Sequence, residues 1–508
     1  MKHNVVGFFC FCFFASLNCG AGESDPITDV RKRAEARIAA IREAPNLVMA
    51  RDVEVYYISE KHGNDNADGK SPATAWRTST RLNGQGRLGV SSWVLFERGG
   101  TYRGTVKVCS GVTYSAYGMG PKPRIYGSPE NGADPKRWQR TENPNIWAYD
   151  IGHQDVGTLV FDEGMAHAVK IVIRTDKKDG KRYNKFTGGP FRSYLDLDHD
   201  LHFWHDYGDQ GTGKLYLYSE KNPGERFRSI EFNVKCSGFD VGSASDVAID
   251  NFNVRYVGVH GVAAENCRSL TVSNCEFGWI GGSIQGIFGH DYPTRLGNGV
   301  EAYGRCDGYV VSNCYFKQIY DAGVTHQCDI PEAQGKRRYD QKHVKYIHNV
   351  FENCNYSVEY FLTAKNGNPS LMEDVRVQDN IMLDAGYGFS EQRPNRGEAA
   401  HIKGRFCKER NRAKDFVICG NVMCLSVDML VQTCTALKNA DGSSSLPRFD
   451  NNVLIGRQGD CLGQISEGET VRKPYDADAE TFVNTFGAGN RCVVLPRRMK
   501  SRTANADD

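Results

Sequence analysis

The chain has 508 residues and a formal net charge of +2, so no global field argues for a nucleic-acid partner. Length alone suggests about three domains, yet a repeat architecture can run this far as one unit. Fifty-four glycines suit a turn-rich β fold, and no apolar run beyond the N-terminus reaches the roughly 20 residues that a spanning helix needs.

Lys2 and His3, the apolar run Val5 to Leu17 and the small residues around Cys19 to Gly22 read as a signal peptide over residues 1–22. The protein is therefore expected to be exported, whether secreted, periplasmic or held at the cell surface. Ser16 to Gly20 also resembles a bacterial lipoprotein cleavage site, although Asn18 departs from its usual small residue, so a lipid anchor at Cys19 is the competing reading. Within the linker 23–52, the segment Asp29 to Met49 has helical charge and alanine content and is stopped by Pro45. Residues 53–128 read as an N-terminal cap and first β coils. The loop Asn64 to Asp68 offers oxygens to calcium, but tight turns prefer the same residues, and the turn is favoured; no other cofactor or metal is expected. Residues 129–235 alternate strands with charged and Gly-rich turns and form a β-rich insertion.

From 236 to 494 one six-residue phrase recurs: apolar, any, Asn-like, Asn or Cys, any, apolar. Its copies, starting at Ile249, end at Val254, Phe277, Phe316, Phe351, Met382, Met423 and Leu454, so spacings run 23, 39, 35, 31, 41 and 31 residues. A constant phrase with variable spacers is a solenoid with loops. The third column reads Asn251, Asn274, Asn313, His348, Asp379, Gly420, Asn451, and the fourth Phe252, Cys275, Cys314, Asn349, Asn380, Asn421, Asn452. Both are expected to be stacked polar columns, each group satisfied by its neighbour about 4.8 Å away. Cys275 and Cys314 then read as small buried hydrophobes, one or two disulfides elsewhere staying open among the 17 cysteines. Residues 495–508 read as a disordered tail.

On these repeats the chain resembles the right-handed parallel β-helix proteins of the pectate-lyase-like superfamily over roughly residues 53–480. The resemblance implies an all-β solenoid, with polysaccharide-degrading activity one of the functions that the fold hosts. A second set of strands can be set in register by small-apolar starts: Gly261-Val262, Gly299-Val300, Gly323-Val324, Ser357-Val358 and Gly388-Phe389. If the valine column points inward, Glu301 and Glu359 share one outward column, with Tyr303, Gln327, Phe361 and Glu265 in the next. Two coils separate the glutamates, about 9–10 Å of backbone, which suits an inverting glycosidase. Asp321 is a third catalytic carboxylate able to replace either, and a closer pairing with one glutamate would permit retention. His326 and Glu391 fall on the inward parity.

Two basic spacers, residues 329–343 and 393–414, follow these strands and should rim one side of the groove, with Arg393, His401 and Lys403 as substrate contacts. They point to an anionic polysaccharide such as a uronate-containing or sulfated glycan. The leading expectation is a monomeric glycoside hydrolase. A polysaccharide lyase recruiting Lys403, His401, Arg393 or Tyr303, and a non-catalytic glycan-binding protein, are the alternatives.

Overall fold

In the computed structural model each copy of the phrase ends one strand, turns a corner and starts the next. The structure describes residues 25–49, 52–185, 187–288, 292–330, 338–364, 370–393, 398–404, 412–435, 438–439, 441–467 and 472–497. Its frame is a right-handed parallel β-helix with three parallel sheets. The first sheet has eleven strands, from Val55–Ile58 to Gly487–Ala488. The second starts at each corner and carries the last phrase column, Phe277, Phe316 and Phe351 stacking at 4.9 and 5.0 Å between ring centres. The third bears the valine column: Val262, Val300, Val324 and Val358 are partners on adjacent strands and are buried.

The two polar columns differ in kind. All seven third-column residues have positive φ, from 50° at Asn313 to 68° at Asn251. They are corners in the left-handed region, where Asn, Asp and Gly are least penalised. Most are half-buried or exposed, which corrects the expectation of an internal polar stack. The fourth column is the internal ladder. Asn349, Asn380, Asn421 and Asn452 are fully buried, and each side-chain oxygen from Asn380 onward accepts both the backbone and side-chain N–H of the preceding rung at 2.8–3.1 Å. An eighth rung, Asn490 after Gly489 (φ 71°), closes the ladder. Cys275 and Cys314 occupy its other end, and no disulfide is present among the described residues. Burial pushes the Cys314 thiol well up. Thiol titration of the native protein should therefore leave Cys275, Cys314 and Cys354 unmodified until denaturant is added; modification in the native state would contradict this packing.

The N-terminal helix spans Pro26–Arg42, capped by Asp25 and ended before Pro45, so it is shifted from the expected segment. Val30, Ala34, Ile38 and Ile41 form one apolar stripe against Tyr315, Val350, Ile381 and Val422 of the second sheet. Arg31 to Asp384 at 2.6 Å and Arg42 to Glu276 at 2.9 Å fix its ends, making it a docked strut. Within the insertion, Val156–Phe161 pairs antiparallel with Ile230–Val234, which joins the second sheet at Val257. A five-stranded sheet, including Ile146–Asp150 and Lys214–Tyr218, packs beside it.

Candidate active site

The third sheet presents its outward column in ladder order as Asp240, Ala263, Glu301, Thr325, Glu359, Lys403, Gln432 and Gln464. Glu301 and Glu359 are thus two strands apart, as the valine register requires. Beside them run Glu265, Tyr303, Gln327 and Phe361. A cleft of about 950 Å³ opens over this face, walled by Glu301, Asp321, Glu359, Tyr303, Gln327, Phe361, Arg393 and Lys403 among others. Glu265 lies one strand further back and is not part of the wall.

The fifth expected strand is misassigned. Residues Gly388–Gln392 form a 3₁₀ turn, because Gly386 and Gly388 both take positive φ and Phe389 packs with Trp279 and Tyr320. The true partner is Ala400–Gly404, which puts Lys403 in the glutamate column and His401 two residues earlier, beside Ser357 at the start of the strand. His401 is fully buried, bonded to Ser357 at 3.0 Å and to the Leu425 carbonyl at 2.9 Å, and burial pushes its imidazole down to about 4. It is a buried, hydrogen-bonded residue outside the cleft wall and not a substrate contact. His326 is inward, bonded to the Tyr346 hydroxyl at 2.9 Å and pushed down by burial to about 3. Glu391 is exposed on the turn.

Glu301 is surrounded by donors. Asn298 Nδ2 reaches Oε2 at 2.5 Å, Gln327 Nε2 reaches it at 2.6 Å, and His260 Nε2 lies 3.4 Å from Oε1. Asp321 is buried and ion-paired with Arg393. Burial raises its pKa, Arg393 opposes and Glu301 adds to the rise, the net direction being upward. Burial works against the Arg393 charge, but Asp321, the tyrosines Tyr356 and Tyr320, and Glu359 hold it. Lys403 contacts Glu398 at 3.3 Å and Gln432; burial lowers its pKa in spite of Glu398 and Glu359. His260, Asn298, Tyr356 and Arg295 were not anticipated. The first two stand immediately before Gly261 and Gly299, so polar residues at two successive strand starts were the available signal.

Among the described residues the wall carries five carboxylates (Glu301, Asp321, Asp329, Glu359, Glu398) and three cations (Arg295, Arg393, Lys403). Arg295 is spent on the carbonyls of Gly282 and Gly157 at 2.6 and 2.9 Å. Of the basic spacers, Arg338, Lys342 and His343 pair with Asp340, Glu373 and Asp307, acids borne by or just ahead of the first sheet. Lys336, Arg337, Arg396, Arg405, Lys408 and Arg410 lie outside the described residues, as do residues 1–24 with Cys19. In the loop Asn64 to Asp68 the carboxylate of Asp65 accepts the N–H groups of Arg77 and Thr78 at 2.7 and 3.0 Å, and Asp68 accepts that of Lys70 at 3.0 Å. The described His, Cys, Asp and Glu side chains cluster closely enough to share an ion at Asp198, His199 and His202 of the insertion, which are not part of the cleft wall.

What the fold and cleft define is a right-handed parallel β-helix with a carboxylate-lined cleft on one sheet. Among solved structures the chain is similar to a GH136 lacto-N-biosidase from Eubacterium ramulus, at 14% identity and a TM-score of 0.47, over 87% of this chain and 64% of that one. It thus spans about two thirds of that enzyme's length. A protein described as a glycoside hydrolase (12% identity, TM-score 0.45) is covered over 96% of its length by 87% of this chain. An alginate lyase from Paenibacillus sp. str. FPU-7 (10% identity, TM-score 0.34) is covered over 93% by 82%. No protein-family model matches the sequence, and no curated protein does.

Proposed function

We propose that the chain is an exported, carbohydrate-active enzyme, a glycoside hydrolase working through carboxylates on the third sheet. The observation that carries this reading is the contrast between two carboxyl groups on one cleft. Asp321 is dry and pushed toward its protonated form, whereas Glu301 receives three donors. Paired carboxyls in opposed environments are what acid and base roles require. Asp321 protonates the leaving oxygen, and Glu301 activates the attacking water. Glu359, two strands on in the same column and close enough to Lys403 and Arg393 to support both charges, orients the sugar. Tyr303 and Phe361 supply ring faces for its apolar side. The acid-rich wall favours a neutral glycan over the anionic one expected from the basic spacers. The reading needs no metal; calcium at the Asn64 to Asp68 loop would be structural.

A lyase is the second reading, favoured by Lys403: a buried lysine of lowered pKa in the cleft suits proton abstraction beside a uronate carboxyl. Incubation with panels of neutral and uronate-containing glycans separates the readings. New reducing ends without ultraviolet absorbance are expected. An unsaturated, absorbing product would establish the lyase, and binding without turnover the non-catalytic alternative.

A further inference from the structure

His260, just ahead of the strand Val262–Glu265, is one of the three donors on Glu301 and is neither of the two reacting groups. Its side chain is 10% exposed. Its Nδ1 accepts the backbone N–H of Asn298 at 3.1 Å, and an accepting nitrogen carries no proton, so the neutral ring is protonated at Nε2. That N–H faces Glu301 Oε1 at 3.4 Å. Asn298 is pinned in turn: its Oδ1 accepts the N–H of Ala322, next to Asp321, at 2.9 Å, which leaves Nδ2 for Glu301 at 2.5 Å. Two of the three donors on Glu301 therefore hang on one His260–Asn298 unit, and the same unit touches the segment that carries Asp321.

We infer that His260, kept as its Nε2–H tautomer by the Asn298 backbone, is a positioning residue that orients Glu301 as the base, and that protonating it disables the site. This rests on the reading of Glu301 as base. A second proton on the ring would set Nδ1–H against the Asn298 N–H, donor to donor. That hydrogen bond is lost, Asn298 shifts, and its amide donor to Glu301 and its contact with Ala322 go with it. Two titratable groups act on the ring, Glu301 on the neighbouring strand and Asp321 on the coil beyond.

The test compares H260Q and H260A in the full chain. Glutamine can accept from Asn298 and donate to Glu301 but does not titrate. H260Q should keep kcat within about tenfold, while the acidic limb of its kcat/KM profile moves to lower pH, since the limb set by the ring's second proton is then gone. H260A should lose about 10- to 100-fold in kcat with KM nearly unchanged. A H260Q profile that overlays the native one, or full kcat in H260A, overturns the inference. Long-range nitrogen NMR of the histidine rings, using H260Q for assignment, reads the tautomer without any activity: Nε2–H is expected, and Nδ1–H refutes the proposal. Full activity in E301Q would instead sink the parent reading, while the NMR result still stands or falls by itself.

Discussion

Substituting Glu301→Gln should lower kcat by about 10²- to 10⁴-fold with the fold intact, because the amide keeps the shape but cannot take a proton from water. Asp321→Asn should cost a similar factor on natural glycans, yet substrates with a good leaving group should rescue it, since only the departing oxygen needs that proton. Activity in E301Q equal to the native enzyme, or rescue of E301Q in place of D321N, would reverse or sink the assignment. The pH profile carries a sign as well. Asp321 acts while protonated and burial raises its pKa, so activity falls as pH rises through a value above the usual carboxylate range. D321N should lack that limb. Asp321 is also the ion-pair partner of the buried Arg393, so thermal unfolding of D321N must accompany its kinetics.

The second large effect belongs to the scaffold. Asn421→Ala removes an acceptor shared by the backbone and side-chain N–H groups of Asn380, and a donor to the Val377 carbonyl. Each stranded buried group costs about 1–3 kcal/mol, so urea unfolding should show a loss on the order of 3–5 kcal/mol, a large share of the stability of an ordinary domain. A loss below about 1 kcal/mol would mean that water or a shifted rung replaces the amide. A substitution at the exposed corner Asn451, Asn451→Asp, should by contrast be nearly silent, since Asp also tolerates the left-handed region.

Much of this architecture was legible because it is periodic. The phrase columns and the valine column are local patterns repeated every coil, and repetition makes register readable without coordinates. The same logic failed at Gly388–Gln392, where an apolar residue in the right place imitated the valine column. Phe389 is apolar because it fills an aromatic cluster with Trp279 and Tyr320, contacts between segments over 60 residues apart in sequence. That error hid the true partner strand, promoted His401 to the surface and left Lys403 as a loop residue. His260 and Asn298 were missed for a different reason: each matters through a hydrogen bond to another coil, and two polar residues ahead of successive strand starts are a faint local signal.

The sequence by itself determined the coil, its Asn and Cys column and the placing of Glu301 and Glu359 on one outward face, because strand alternation and stacking obey rules that act over a few residues. Only the tertiary structure decided which carboxyl is dry, which is fed by donors, and which cations face the cleft. Those properties are set by burial and by partners brought in from distant coils and the insertion, and desolvation has no signature in a local pattern.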